Sequence, residues 1–141
     1  MMYAKKGEVS MHVLIVDDDL ANRVVMQSYM RNKASRINMA TNGEEAVQAV
    51  AMALDAQDPY TLILMDIMMP VMDGHQALKT IRDLEQRHGI PPGSEAKVIM
   101  VSCLEDQKNV CQAFFQGMAT CYLTKPLSME GLETALNSIS F

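Results

Sequence analysis

A chain of 141 residues, 49% of them hydrophobic and 21% charged, is long enough to bury one core and short enough to need only one. Its formal net charge of −5, with twelve Lys and Arg scattered along it, excludes a nucleic-acid or anionic-membrane surface, which requires clustered basic side chains. No stretch is long and apolar enough to span a bilayer, and the opening MMYAKKGEVS lacks the apolar centre of a signal peptide, so a cytoplasmic protein is expected.

In chain order, the polar first ten residues are expected to form a flexible extension, and residues 11–141 a single domain. MHVLIV (11–16) reads as a first strand that runs into Asp17, Asp18 and Asp19. Leu20 and Val24, with Ala21, Val25 and Tyr29, mark a first helix, for which Asp19 is a natural N-cap. RINMA (36–40) is a second strand, and NGEE opens a second helix carried by Ala46, Val50 and Leu54. TLILM (61–65) is a third strand, stopping at Asp66, and Leu78, Ile81 and Leu84 give a third helix. RHGIPPGSEA (87–96), with paired prolines and two glycines, reads as a loop before a fourth strand, KVIMVS (97–102). Val110, Ala113 and Phe114 mark a fourth helix, TCYL (120–123) a fifth strand, and Met129, Leu132, Leu136 and Ile139 a fifth helix. Short apolar runs alternating with helical segments are the sign of an α/β domain with a five-stranded parallel sheet wound on both faces by five helices.

Several residue types carry less information. Cys103, Cys111 and Cys121 form no CxxC pair and have no histidine cluster beside them, so they read as reduced, mostly buried thiols. His12, His75 and His88 fall on a strand, a helix start and a loop, and none has the setting of a phosphate carrier. The fourteen methionines read as packing residues.

Ligands of a doubly wound sheet sit outside the carboxyl ends of its strands. At that edge the chain places Asp17 and Asp18 after strand one, Asp66 after strand three, Ser102 at the end of strand four and Lys125 after strand five. Carboxylates gathered this closely repel, by roughly 4 kcal/mol per pair at about 4 Å and an effective dielectric of 20. A divalent cation removes that repulsion, and an oxygen-only ligand set that leaves open positions suits Mg²⁺. Asp66 then has an oxygen free to act as a nucleophile toward a phosphoryl group, with Ser102 and Lys125 placed to meet its oxygens.

LIVDDD (14–19), LILMDIMMPVMDG (62–74), VIMVS (98–102) and YLTKPL (122–127) together resemble the receiver domains of response regulators in two-component and phosphorelay signalling, the CheY-like family, over nearly the full chain. The resemblance implies a flavodoxin-like sheet of strand order 2-1-3-4-5. It makes Asp66 the phosphoacceptor, and Asp17, Asp18, Asp66 and the backbone carbonyl of Met68 the Mg²⁺ ligands. Ser102 takes the place of the hydroxyl that binds the phosphoryl group, Lys125 that of the lysine that ion-pairs with it, and Tyr122 that of the aromatic switch residue. Pro70 would shape the loop after the acceptor, and Asp73-Gly74 would turn the chain into helix three. The implied donor is a phosphohistidine on a sensor histidine kinase or a histidine phosphotransfer protein. The implied readout is a change in the face made by the fourth helix, fifth strand and fifth helix, through which a downstream protein is bound or the phosphoryl group passed on. Such a domain is no enzyme in the usual sense: it catalyses its own phosphorylation and slow dephosphorylation.

The chain departs from the family pattern in three places. Cys103 follows Ser102 where a smaller residue is usual, narrowing access to the acceptor; apolar Met68 and Leu104 occupy two positions that tune hydrolysis, favouring a long-lived phosphorylated form; and the chain is longer before strand three and in the 87–96 loop, as in receivers attached to hybrid kinases. Two alternatives compete. One is a receiver-like docking module that is never phosphorylated. The other is a haloacid-dehalogenase-type phosphatase, whose Asp-x-Asp opening VDDDLA would match with Asp17 as nucleophile and Asp19 as acid/base. That family needs a further acidic pair after its lysine, where this chain has only Glu130 and Glu133 on the last helix, and it leaves Asp66 without a role.

Overall fold

HVLIV and LILMD are buried at every position, which a strand tolerates only when both faces of its sheet are covered. A computed structural model of the chain, describing residues 10–103 and 118–141, shows how they are covered. Strands β1 (His12–Val16), β2 (Arg36–Ala40), β3 (Leu62–Asp66), β4 (Lys97–Ser102) and β5 (Cys121–Thr124) form one parallel sheet in the order β2-β1-β3-β4-β5. Helices α1 (Leu20–Met30), α2 (Gly43–Asp55), α3 (Gly74–Arg87) and α4 (Met129–Ser138) connect or follow them.

Successive strand residues point to opposite faces, so the sheet divides the core in two. Leu14, Val16, Ile63, Met65, Val98 and Met100 pack against Ala46, Val50 and Leu54 of α2 and Ala77, Leu78 and Ile81 of α3. Val13, Ile15, Leu62, Leu64 and Ile99 pack on the other face against Met26 and Met30 of α1 and Leu132 and Ala135 of α4. Every described helix starts at the carboxyl edge of the sheet behind a side-chain cap. Asp19 accepts from the Ala21 N–H, Asn42 from Glu45, Asp73 from Gln76 in a reciprocal capping box, and Ser128 from Gly131.

The strand order and four of the five predicted helices match the sequence reading. The fourth predicted helix, around Val110, Ala113 and Phe114, lies outside the described residues, as do Leu104, Cys111 and most of the N-terminal extension. Among the described residues there are therefore four helices, not five. Three expectations change. Asp66 is the last residue of β3 itself, its backbone paired with Val101 of β4. The first helix turns Met26 and Met30 inward and leaves Leu20 at 65%, Val24 at 51% and Val25 at 40% exposure, so the apolar set that marks the helix is not the set that anchors it. Cys103 is exposed because β4 ends one residue before it, and Cys121, on the edge strand β5, is half-buried.

One buried ion pair ties the far end of the sheet together. Glu85, 4% exposed, accepts from Arg82 Nη1 at 2.7 Å and from the Ala96 N–H at 2.7 Å. The Arg82 guanidinium also donates to the carbonyls of Ala96 and Met118, at 2.9 Å and at 2.7 and 3.0 Å. Removing one partner of a buried pair strands the other charge. Glu85→Ala is therefore expected to cost about 3 kcal/mol of folding free energy. Urea unfolding would show it as a lower midpoint at unchanged slope; a midpoint shift below about 0.5 kcal/mol would mean that the guanidinium is held by the carbonyls alone.

Candidate functional site

The carboxyl edge of the sheet collects the polar groups that the apolar strands exclude. Asp17 and Asp18 follow β1, Asp66 and Ser102 end β3 and β4, and Lys125 follows β5. β1 lies between β2 and β3, at the point where the strand order reverses and loops diverge to opposite faces, which opens a cleft above β1 and β3.

Asp17, Asp18 and Asp66 each place a carboxylate oxygen within 4.8 Å of the other two. Asp17 is fully buried and Asp66 is 3% exposed, whereas Asp18 is open to solvent. Lys125 Nζ sits 3.1 Å from Asp66 Oδ2 and 3.2 Å from Asp17 Oδ2, bridging the two buried acids. Asp17 Oδ1 accepts from the Asp19 N–H at 2.9 Å, and Asp66 Oδ1 from the Met68 N–H at 3.3 Å. The Ser102 side chain is 1% exposed, and its Oγ has no hydrogen-bond partner among the described residues.

Three carboxylates face one ammonium, and the imbalance shows in the acid–base chemistry. Burial, and then the charge of Asp17, push the Asp66 carboxyl up to about 6, against the opposing pull of Lys125. Burial works against the charge of Lys125, but Asp66 and Asp17 outweigh it and hold the ammonium above its ordinary range. The residues present fit a hard divalent cation: three carboxylates, oxygen donors only, with excess negative charge that one lysine does not balance, beside a buried hydroxyl that has no partner among the described residues.

The structure thus puts Lys125 in contact with Asp17 and Asp66, brings Asp18 within 4.8 Å of those two acids, and puts Ser102 on the neighbouring strand end, paired in register with Thr124. Met68 projects an apolar side chain, 57% exposed, at the rim. Tyr122 lies on β5 with 44% of its surface exposed. Asp19, the acid that the phosphatase alternative requires, is engaged in capping α1 with its Oδ1 on the Ala21 N–H at 2.8 Å. Beside the acids a cavity of about 260 Å³ runs between α1 and the segment after β5, lined by Asn22, Val25, Met26, Tyr29, Pro126 and Leu127. A larger groove, about 590 Å³, opens at the other end of the sheet around Arg82, Glu85 and Met118, but those charged groups satisfy one another.

Sequence reasoning missed two supports of this edge. Arg23 on α1 donates from Nη1 to the carbonyl of Asp17 at 2.7 Å. Gly43, at the start of α2, donates its N–H to the carbonyl of Met72 at 3.1 Å, so α2 abuts the loop that follows Asp66. A polar residue within a helix and a glycine beside an N-cap carry no local signal of such contacts, because each partner is distant in sequence or hidden in loop geometry.

A family model described as the response regulator receiver domain matches residues 13–137. The two-component response regulator ORR41 of Oryza sativa subsp. japonica is 38% identical over 126 residues, covering 88% of this chain and 90% of that protein. Other curated relatives include histidine kinases of which the chain spans only 12–13%. Among solved structures, the receiver domain of the histidine kinase CKI1 from Arabidopsis thaliana, complexed with Mg²⁺, is similar with a TM-score of 0.80 at 26% identity over 92% of each chain. The complex of the Saccharomyces cerevisiae histidine phosphotransfer protein Ypd1 with the receiver domain of its downstream response regulator Ssk1 matches with a TM-score of 0.73 at 29% identity, covering 88% of this chain and 84% of that one.

Proposed function

Because the chain belongs to the response regulator receiver domain family of two-component signalling, we propose that it is a phosphoacceptor module that takes a phosphoryl group from a phosphohistidine onto Asp66. The observation that carries this reading is the contact of Asp66 with Lys125 inside a cluster shared with Asp17 and Asp18. An Asp66 carboxylate oxygen attacks phosphorus, a P–O bond forms, the P–N bond to the imidazole breaks, and the imidazole nitrogen keeps the electron pair. At neutral pH the Asp66 carboxyl, with its value near 6, is mostly ionised and can serve as nucleophile. Lys125 Nζ, held between Asp17 and Asp66 before transfer, is placed to donate to the phosphoryl oxygens, which is what electrostatic stabilisation of a transferring group requires, and the Ser102 hydroxyl supplies a second donor once it moves toward them. Asp17, Asp18, Asp66 and the carbonyl of Met68 would hold Mg²⁺, which, when bound, neutralises the clustered charge and draws the phosphoryl oxygens into the cleft.

The donor is a sensor histidine kinase or a histidine phosphotransfer protein, a reading supported by the receivers of a histidine kinase and of a Ypd1 complex among the structural relatives. Transfer biases a two-state equilibrium in which Ser102 moves toward the phosphoryl group and Tyr122 turns inward. The face made by β5 and α4 then meets a downstream protein or supports onward relay. The protein works in the cytoplasm, where such donors present their histidines. Among the described residues no helix is long and apolar enough to cross a membrane.

Intact mass after incubation with Mg²⁺ and acetyl phosphate tests the reading. The parent is expected to gain one phosphoryl group, and Asp66→Asn or removal of Mg²⁺ to abolish the gain. A parent that stays unmodified with acetyl phosphate and with a phosphohistidine protein donor would instead mark a docking module.

A further inference from the structure

We propose that Arg23 is a positioning residue of the cation site, orienting Asp18 by gripping the backbone of the acidic loop. The inference rests on the reading of Asp17, Asp18 and Asp66 as Mg²⁺ ligands. Of those three, Asp17 and Asp66 have carboxylates fixed by other groups: Asp17 by the Asp19 N–H and Lys125, Asp66 by the Met68 N–H and Lys125. Asp18 is exposed and makes no hydrogen bond or ion pair among the described residues, so what those residues fix is the path of the backbone from which its side chain projects.

That path is held from three sides. The Asp17 N–H donates to the carbonyl of Ala40 at 3.2 Å, the Asp19 N–H to Asp17 Oδ1 at 2.9 Å, and Arg23 Nη1 to the carbonyl of Asp17 at 2.7 Å. The carbonyl that Arg23 grips belongs to the peptide joining Asp17 to Asp18. Rotation of that peptide plane would swing the Asp18 carboxylate away from its neighbours, and Arg23 is the side-chain donor that opposes this rotation among the described residues. The half-buried guanidinium sits on the fourth residue of α1, and the helix supplies a rigid base for it. Its charge also reaches Glu45 on α2, whose carboxyl is held below its ordinary range first by hydrogen bonds from the Thr41 hydroxyl and N–H and then by Arg23.

A positioning role and a simple charge effect have opposite signs. A positive group near a cation site repels the cation, so its removal by charge alone would tighten Mg²⁺ binding. Loss of positioning weakens binding, and outer partners of metal ligands are typically worth about 10–100-fold in affinity. Calorimetric titration of Mg²⁺ into the full chain at fixed pH and ionic strength is therefore decisive, with urea unfolding in EDTA run on each variant. Arg23→Ala is expected to raise the Mg²⁺ Kd by about 10–100-fold while remaining folded without metal, and Arg23→Lys, which keeps a donor of similar reach, to restore part of the affinity. If Arg23→Ala does not fold, Arg23→Gln, with a shorter donor, is expected to show the same weakening. Equal or tighter Mg²⁺ binding in a folded Arg23→Ala or Arg23→Gln would overturn the positioning role alone. A parent chain that binds no Mg²⁺ would overturn the cation-site reading on which it rests.

Discussion

Gly74→Ala is expected to lower folding stability by about 2–3 kcal/mol, a typical penalty for forcing atoms into a packed site, and to reduce phosphorylation of Asp66 at least tenfold. A Cβ at this position would lie 2.5 Å from the carbonyl oxygen of Asp66 and 2.9 Å from the Cα of Ile67. Both are backbone atoms, so no rotamer change relieves the overlap. The Gly74 N–H donates to the carbonyl of Ile67 at 2.8 Å, which binds the start of α3 directly to the end of β3. Intrinsic helix propensity favours Ala over Gly by about 1 kcal/mol, but that gain is smaller than the overpacking cost. The strand end must therefore move, and with it the Asp66 carboxylate. A displacement of the order of 1 Å at a reacting group costs up to about 100-fold in rate. Urea unfolding and acetyl-phosphate labelling of the same variant check both halves. A variant with unchanged stability and labelling would show that the loop absorbs the extra methyl group without moving Asp66.

Asp66→Asn is expected to stabilise the metal-free protein at pH 8 even though it removes the proposed phosphoacceptor. The folded-state value of Asp66 is raised to about 6, above that of an unfolded aspartate near 3.9, so between these values the folded state binds more protons than the unfolded. Stability therefore declines as pH rises through this window, is fully present below about pH 4 and has lost the whole contribution above about pH 6. A shift of about two units corresponds to on the order of 3 kcal/mol, and Asn, close in shape to the protonated acid, does not incur that loss. In EDTA the variant should unfold at higher urea than the parent at pH 8, with the difference shrinking toward pH 4.5. Added Mg²⁺ should stabilise the parent, because ligand that binds only the folded state shifts the equilibrium by mass action. Equal stabilities at pH 8 in EDTA would mean that the Lys125 ion pairs offset the carboxylate repulsion in full.

Most of the fold could be read in the chain before any coordinates. HVLIV, LILMD and KVIMVS announce buried parallel strands because an unbroken apolar run needs cover on both faces. NGEE announces a helix start through the acids of its first turn, and the structure adds that Asn42 and Asp73 satisfy free N–H groups at the starts of α2 and α3. The acidic positions stood out because Asp17, Asp18 and Asp66 end or follow strands on one edge of the sheet, whereas a single Asp there, such as Asp19, is often only a helix cap. Where local pattern misled, the competing factor was tertiary. Leu20, Val24 and Val25 carry helical spacing, yet the docking angle of α1 presents Met26 and Met30 to the sheet. Cys103 is apolar in habit but falls one residue beyond the strand that would have buried it.

By itself, then, the sequence determined the element order and the strand edge on which the polar groups collect, and it singled out Asp17, Asp18, Asp66, Ser102 and Lys125 because all of them fall at or after strand ends on that one edge. Only the tertiary structure decided that Lys125 bridges Asp17 and Asp66, that the Ser102 hydroxyl is buried without a partner among the described residues, that Gly74 lies against the backbone of Asp66 and that Arg23 reaches the carbonyl of Asp17. Such contacts depend on how strands stack in register and how helices dock across a shared core. They join groups up to 108 residues apart, from Asp17 to Lys125, which no local pattern encodes.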